Sequence, residues 1–317
     1  MELKSIQRIT DLDEADFIVK WRLTDMCNAN CSYCIRKDFR ENIEKEKIKN
    51  VQNQLCDVAV ELSRLINSTD FSNVKIDLIG GEVTLFDLKT ILKNIDSDKV
   101  TRINITSNIL KDISYFDELC AYLHSRNIKL TLTASFHFEY ISFEKYFEKI
   151  EHLKNTVDFL CCEIVSLENN QDLCKKFVEK CKDLDVLYRC EVDIRFGKEN
   201  VRKLNLISDS NKRELPRYKV LFTDGTEQFY TTRNQLLIDR TIKENIDQKV
   251  FRTKGMMCSK NYDFIYVDFD QVGGRTETVN TCLNRTPIKD FKLIKPKTCA
   301  AAGCTLCGHM NLWREQC

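Results

Sequence analysis

The sequence predicts an α/β protein, a partial (β/α)6 TIM-like barrel followed by a smaller domain rich in β-hairpins and loops. Between residues 16 and 196, β-like runs alternate with helix-like runs, which is typical of βα units around a parallel sheet. After residue 200 this alternation stops. The length of 317 residues allows one large domain and one smaller one. Six consecutive units of about 30 residues fit a partial barrel better than an eightfold one.

The six predicted strands are rich in β-branched and aromatic residues, and helical patterns separate them. The strands are Phe17–Thr24, Val74–Ile79, Thr101–Thr106, Lys129–Phe136, Phe159–Val165 and Tyr188–Phe196. The helical patterns cover 43–66, 86–96, 114–126, 142–153 and 170–183.

Polar and apolar residues alternate in several of these strands. In the sixth strand the polar face carries Arg189, Glu191, Asp193 and Arg195, and in the fourth it carries Thr131, Thr133 and Ser135. Because helices must cover the apolar faces, we expect the polar faces to point into the barrel, where water or a polar ligand would meet them. The alternative is that some of these strands are edge strands with a solvated face.

Beyond residue 200 the sequence predicts two hairpins. Arg217–Thr231 has Asp224-Gly225 between two β-rich runs, and Asp263–Val279 turns near Gly273-Gly274. We therefore expect three parts: the barrel over 1–200, a connecting hairpin and helix over 201–257, and a small cysteine-rich domain over 258–317.

Composition excludes several classes of protein. Lys and Arg total 49 against 48 Asp and Glu, so no global field attracts nucleic acid or an anionic membrane. The N-terminus lacks the apolar core of a signal peptide, and no run approaches 18 apolar residues, so we expect a cytoplasmic protein. In that compartment the 16 cysteines are better explained as metal ligands and buried thiols than as disulfides.

Three cysteines follow the first strand directly, in Cys27-Asn-Ala-Asn-Cys31-Ser-Tyr-Cys34. This CxxxCxxC spacing, with Tyr33 before the third cysteine, resembles the signature of the radical S-adenosylmethionine (SAM) superfamily. The resemblance implies a [4Fe–4S] cluster on Cys27, Cys31 and Cys34, with one iron left open to chelate the amino and carboxylate groups of SAM. A zinc site or an ordinary iron–sulfur site is the alternative.

Three further segments resemble SAM-contacting motifs of this family, each at the end of a successive strand. Gly80-Gly81-Glu82 resembles its Gly-Gly-Glu-Pro loop, with Val83 in place of proline. Backbone carbonyls of this loop, or Glu82 itself, are expected to accept from the SAM ammonium. The other two segments contain Ser107, Asn108 and Ser135, which are expected to contact ribose or carboxylate.

The resemblance implies reductive cleavage of SAM to a 5′-deoxyadenosyl radical, with flavodoxin or ferredoxin as the reductant. The expected reaction is hydrogen abstraction from a small polar substrate such as a sugar, aminocyclitol or nucleotide, giving oxidation or epimerisation. Glu163 and Arg195 are candidate substrate ligands in the lumen, His137 lies at the barrel mouth, and Cys161 or Cys162 faces the lumen as a candidate thiol donor. For His137 and the thiol, a purely structural role is the alternative.

A peptide is the alternative substrate, which would make the chain a maturase of ribosomally synthesised peptides (RiPPs) that forms a crosslink or an epimer. The short stretch ahead of Phe17 is not expected to hold a leader-peptide-binding domain.

The C-terminal cysteines form a second group, which resembles the Twitch or SPASM auxiliary-cluster domains of radical SAM enzymes. One cysteine precedes the second hairpin, another follows it, and a CxxC pair comes later. The expected ligands of a second [4Fe–4S] cluster are Cys258, Cys282, Cys304 and Cys307, with Cys299 in reserve. A zinc ribbon has the same four-cysteine inventory and stays open as an alternative.

Two other classes of protein compete with an enzyme. An iron–sulfur electron carrier or redox sensor would need the cysteines but not Gly80-Gly81-Glu82, Ser107-Asn108 or Ser135. A zinc-ribbon module that binds nucleic acid is disfavoured by the near-zero net charge and by the βα framework.

Overall fold

The computed structural model describes residues 3–8, 15–34, 43–192, 209–210, 218–230, 257–258, 264–270, 276–280, 285–293, 297–298 and 312–313. Its strands are β1 (Leu3–Arg8), β2 (Phe17–Thr24), β3 (Val74–Gly80), β4 (Val100–Ser107), β5 (Lys129–Ser135), β6 (Phe159–Ser166), β7 (Leu187–Val192), β8 (Asp209–Ser210), β9 (Tyr218–Phe222), β10 (Glu227–Tyr230), β11 (Met257–Cys258), β12 (Phe264–Asp270), β13 (Thr276–Asn280), β14 (Arg285–Pro287), β15 (Lys297–Thr298) and β16 (Leu312–Trp313). Its helices are α1 (Lys45–Asn67), α2 (Leu88–Leu92), α3 (Ile113–His124), α4 (Phe143–Leu153) and α5 (Gln171–Asp183).

The predicted parallel sheet is present. Strands β2 to β7 follow one another in chain order, and each pairs in parallel with the next. Within the described ranges the sheet has ten strands in the order β14-β13-β12-β2-β3-β4-β5-β6-β7-β8, and its edge strands β14 and β8 do not pair with each other. The prediction of a partial barrel is therefore confirmed. The predicted sixth strand is described as far as Val192, and its remainder lies outside the described residues.

The helices cover the apolar face of this sheet. Leu55 and Leu62 of α1 belong to the same buried core as Trp21 of β2 and Leu78 of β3. Four helices lie close to the predicted ranges, but 86–96 yields only the short α2. The side-chain amide of Asn94 donates to the Thr90 carbonyl at 2.9 Å and so competes with a further helical turn there. No helix in the described part of the chain is long and apolar enough to cross a membrane.

The other face of the sheet is polar, as the alternation predicts. One row in register across β2 to β5 consists of Lys20, Asp77, Asn104 and Thr131. Lys75 Nζ lies 3.3 Å from Asp77 Oδ1. We call this face the lumen face.

The predicted hairpin Asp263–Val279 corresponds to β12 and β13, and the structure adds a long-range partner for it. β12 pairs in parallel with β2, so the hairpin extends the barrel sheet at its first strand. The buried Arg22 of β2 donates to Asp268 of β12, and its guanidinium lies 4.2 Å from the centre of the Phe269 ring. A charge pair and a cation–π contact thus join segments 246 residues apart.

The predicted hairpin Arg217–Thr231 corresponds to β9 and β10, with Gly225 at a φ of +87° in its turn. It belongs to a second, six-stranded sheet in the order β10-β9-β1-β16-β11-β15. This sheet pairs β1, near the start of the chain, with β16 near its end, a pairing for which no local pattern in the sequence gives a signal.

Candidate functional site

The cysteine loop begins where β2 ends, at the carboxyl edge of the parallel sheet. Cys31 and Tyr33 are buried, whereas Cys27 and Cys34 are partly exposed. The Cys34 amide donates to the Cys31 carbonyl at 3.2 Å, which closes a tight turn between the second and third cysteines. The loop therefore offers three thiols around one turn of backbone at the barrel mouth.

The Gly80-Gly81-Glu82 segment holds this loop through its backbone. The Gly81 amide donates to the Thr24 carbonyl at 2.7 Å, and the Glu82 amide donates to the Met26 carbonyl at 2.8 Å. A Cβ atom on Gly81 would lie well inside van der Waals contact with the Met26 carbonyl, so only glycine allows this approach. The motif at the end of β3 thereby fixes the residues that lead into Cys27.

The Glu82 side chain is completely buried and points into protein. Its carboxylate accepts from Thr84 N at 3.0 Å, Thr84 Oγ1 at 2.6 Å, Ser107 Oγ at 2.8 Å and Asn108 N at 2.7 Å. Burial raises the pKa of Glu82, while these hydrogen bonds act in the opposite direction. In this structure Glu82 joins the ends of β3 and β4, so within this loop the backbone carbonyls are the groups left to meet a ligand ammonium.

Asn108 links the end of β4 to the cysteine loop. Its side-chain amide donates to Asn28 Oδ1 at 2.7 Å and lies 4.0 Å from Cys27 Sγ. The next residue, Ile109, is buried and has a φ of +48°, a region that β-branched residues rarely occupy. Such local strain is common where a fold holds a binding loop in place.

His137 reaches the same loop from the end of β5. Its Nδ1 lies 3.0 Å from Cys31 Sγ and 3.2 Å from the Tyr33 hydroxyl. Tyr33 also stacks on Phe138, with ring centroids 5.1 Å apart. Burial raises the pKa of the Cys31 thiol to about 11. Sequence reasoning placed His137 at the barrel mouth but not against a cysteine.

A contact missed by sequence reasoning involves Glu139, two residues beyond His137. Its carboxylate accepts from the Ser32 amide at 2.8 Å and also from the Ser32 hydroxyl. The carboxylate thereby ties the segment after β5 to the centre of the cysteine loop. The sequence feature that could have indicated this contact is the acidic residue two positions after His137.

Of the four remaining candidate residues, the structure describes three. Ser135 ends β5 and is in register with Glu163 of β6, whose carboxylate pairs with Arg189 of β7. Cys162 belongs to the helix-covered core, so strand alternation directs Cys161 to the lumen face. Arg195 lies outside the described residues.

Of the C-terminal cysteines, the structure describes only Cys258. Cys258 lies on β11, which pairs with β15 and β16. The other candidates, Cys282, Cys299, Cys304 and Cys307, lie outside the described residues. The auxiliary cluster stays a prediction.

The first cysteine loop fits the group that its spacing predicts. A [4Fe–4S] cluster takes cysteine thiolates, and here three thiols follow one strand within eight residues. The Asn108 amide at 4.0 Å from Cys27 Sγ is a polar donor placed to tune such a centre. Of these three cysteines, Cys27 and Cys34 are partly exposed and Cys31 is buried.

Comparison with known proteins gives similar structures only. No protein-family model and no curated protein matches the chain. The structure of anSMEcpe with bound AdoMet and Cp18Cys peptide is 15% identical, with 56% of this chain and 51% of that chain covered and a TM-score of 0.41. Streptococcus suis SuiB is 15% identical, with 60% of this chain and 45% of that chain covered and a TM-score of 0.42. SuiB has also been solved bound to the precursor peptide SuiA.

The chain thus spans about half the length of the structures it matches. For this chain, the resemblance to the radical SAM superfamily stands on the cysteine loop and on the strand ends gathered around it.

Proposed function

We propose that this chain is a radical SAM enzyme, which cleaves SAM reductively and abstracts a hydrogen atom from its substrate. The observation that carries this proposal is the meeting of four segments at the carboxyl ends of β2 to β5. The cysteine loop contacts the Gly-Gly-Glu segment through Met26, the β4 end through Asn108, and the β5 end through His137. An electron carrier needs the thiols but has no use for this surrounding set.

A [4Fe–4S] cluster held by Cys27, Cys31 and Cys34 would supply the electron that splits SAM and so provide the 5′-deoxyadenosyl radical. The chain's own residues perform the positioning. Glu82 fixes Ser107 and Asn108 at the β4 end through two buried hydrogen bonds. The carbonyls of Gly80 and Gly81 are the proposed acceptors for the SAM ammonium.

His137 and Tyr33 form the wall of the site on the β5 side. Their rings are stacked, with centroids 6.2 Å apart. His137 Nδ1 is in hydrogen-bonding distance of both Cys31 Sγ and the Tyr33 hydroxyl. This wall shields the buried Cys31 from solvent, and exclusion of water protects a radical reaction from side reactions.

We further propose that Cys258, Cys282, Cys304 and Cys307 hold an auxiliary [4Fe–4S] cluster, with Cys299 as the substitute ligand. Four thiolates would leave no open iron, so this cluster would accept or relay an electron. A flavodoxin or ferredoxin would supply the first electron.

The substrate we propose is a peptide whose polar side chain enters the lumen. The lumen face carries two charge pairs, Lys75 with Asp77 and Glu163 with Arg189. Lys20 lies half-buried between them, and among the described residues it makes no salt bridge or hydrogen bond of its own. An ammonium in this position is suited to a carboxylate of the substrate, because burying an unpaired charge is costly.

We prefer a peptide to a free sugar, aminocyclitol or nucleotide as the substrate. No contact of the described residues favours any of those three small molecules. The presence of peptides in the anSMEcpe and SuiB structures is consistent with this choice. Peptide crosslinking or epimerisation would follow hydrogen abstraction, with Cys161 as the candidate hydrogen donor for the second outcome.

The test is an anaerobic assay of the full chain after reconstitution with iron and sulfide. With dithionite and SAM, the wild type should form 5′-deoxyadenosine and Cys31→Ala should form none. Cys56→Ala is the matched control, because this thiol lies on α1, outside the cysteine loop, and donates to the Thr90 carbonyl at 3.7 Å. Iron-loaded wild type that forms no 5′-deoxyadenosine, or an equally active Cys31→Ala protein, would refute the proposal.

The substrate is tested with a peptide library incubated with the active protein and SAM. A peptide that contains Asp or Glu is expected to lose two hydrogens if it is crosslinked, or to keep its mass with one residue inverted if it is epimerised. Lys20→Met should slow this reaction while leaving uncoupled 5′-deoxyadenosine formation intact. Turnover of a sugar or nucleotide in place of every peptide would overturn the peptide assignment.

A further inference from the structure

A second group of metal-ligating side chains lies at the opposite end of the sheet from the cysteine loop. The group consists of Cys120 and His124 on α3 and Asp158 just before β6, and its ligand atoms all lie within 4.8 Å of one another. Asp158 Oδ2 accepts from the Leu130 amide at 2.7 Å, which places the group at the amino-terminal end of β5. The cysteine loop, by contrast, follows the carboxyl end of β2.

We propose that these three side chains bind a divalent transition-metal ion, with Zn²⁺ as the preferred metal. Cysteine, histidine and aspartate are all common zinc ligands, and thiolate disfavours Mg²⁺ and Ca²⁺. Zinc bonds of about 2.3 Å to sulfur and 2.0–2.1 Å to nitrogen, at the tetrahedral angle, require about 3.6 Å between sulfur and nitrogen. The distance from Cys120 Sγ to His124 Nε2 is 3.6 Å.

The third ligand atom also lies within reach. His124 Nε2 is 2.9 Å from Asp158 Oδ2, and tetrahedral zinc needs about 3.3 Å between nitrogen and oxygen. The His124 side chain is 49% exposed, which gives its ring room for a small outward movement. The same exposure leaves room for water as a fourth ligand.

The setting of the group favours a built site over a chance cluster. Cys120 and His124 are four residues apart on one helix, so they share a face. Cys120 is 3% exposed, and its thiol donates to the Thr156 carbonyl at 3.1 Å. Asp158 is held by the Leu130 amide, so two of the three ligands are fixed before a metal arrives.

Metal binding should release protons from the ligand side chains. The metal replaces the thiol proton of Cys120 and any proton carried by His124 Nε2. Burial, together with Asp158 and Asp117, raises the pKa of Cys120 to about 11. The apparent affinity should therefore rise as the pH rises.

The neighbouring pair of His152 and Asp117 provides a matched control. His152 Nε2 lies 2.9 Å from Asp117 Oδ1, and the His152 side chain is 47% exposed. The pair thus has the same chemistry and exposure as His124 with Asp158, but it is not part of the three-ligand group.

The experiment is a titration of the anaerobic, iron-reconstituted full chain with Co²⁺, followed by displacement with Zn²⁺. Wild type should bind one equivalent of Co²⁺ outside the iron sites, with a sulfur-to-cobalt absorption band in the near ultraviolet. His124→Ala and Asp158→Asn should weaken that binding by about tenfold or more, whereas His152→Ala should leave it unchanged.

Identical titrations of wild type and His124→Ala would overturn the proposal. So would an absorption spectrum of the wild type that lacks the sulfur-to-cobalt band. Because His124 is half exposed, its replacement tests the site even if Cys120→Ser fails to fold. 5′-Deoxyadenosine formation is assayed in parallel, and its failure would affect only the proposed enzyme activity.

Discussion

Replacement of Glu82 tests whether this buried carboxylate positions the cysteine loop's neighbours. In Glu82→Gln the amide oxygen can take the place of Oε1 and keep the bonds from Thr84 and Ser107. The amide nitrogen then faces the Asn108 amide, 2.7 Å from Oε2 in the wild type, so two donors meet. A hydrogen bond to a charged acceptor contributes about 1.5–3 kcal/mol, and relief of the buried charge offsets part of its loss. We expect Glu82→Gln to lower the free energy of unfolding by about 1–3 kcal/mol.

Glu82→Ala removes all four acceptor contacts. Two hydroxyl groups can rotate to other acceptors, but the backbone amides of Thr84 and Asn108 cannot. Each buried amide left without an acceptor costs about 1–3 kcal/mol, so we expect a total loss of about 3–5 kcal/mol.

The assay is urea unfolding under anaerobic conditions, with the free energy of unfolding taken from the midpoint at constant slope. The control is Glu139→Gln, because Glu139 is exposed and accepts from Ser32. An exposed contact of this kind should contribute less than about 1 kcal/mol. A Glu82→Gln protein as stable as Glu139→Gln, or a Glu82→Ala protein as stable as Glu82→Gln, would refute the positioning role.

Three further predictions concern single residues. Gly81→Ala should push the Met26 carbonyl away and lower the iron content after reconstitution, and normal iron loading would contradict the close approach. Burial lowers the pKa of Lys20 from 10.5, so the folded state binds fewer protons than the unfolded state below that pH. Lys20→Met should therefore be more stable than wild type at pH 7, and its advantage should shrink as the pH rises towards 10.5; a constant difference would be evidence against this cause. Tyr146→Phe removes a buried hydrogen bond of 2.8 Å to the Ala134 carbonyl and should cost about 1 kcal/mol in thermal or urea unfolding.

The barrel could be predicted because its signals are local. Each strand of the parallel sheet is a short β-branched run, and each helix has an apolar stripe that matches the covered face, as in α4 with Tyr146, Phe147 and Ile150. Strand alternation also located the polar face, and the register then aligned Lys20 with Asp77.

Pairings between distant segments could not be predicted in the same way. Nothing near Arg22 indicates that its partner is Asp268, and nothing in residues 3–8 indicates that β1 lies between β9 and β16. These contacts are selected by global packing, whereas the sequence pattern reports only local periodicity. The same reason explains why Glu82 was one of two candidate acceptors for the SAM ammonium, although its carboxylate accepts from Thr84, Ser107 and Asn108.

The long-range contact between Arg22 and Asp268 and the Gly-Gly-Glu segment act on the same few residues. Arg22 donates to both oxygens of Asp25 at 2.8 Å, and Asp25 lies two residues before Cys27. On the β12 side, Arg22 is held by Asp268, which also accepts from the Asn280 side chain at 3.2 Å. On the β3 side, the Glu82 amide holds the Met26 carbonyl. The chain entering the cysteine loop is therefore fixed from both neighbouring strands, and removal of either support should disturb the loop before it disturbs the sheet.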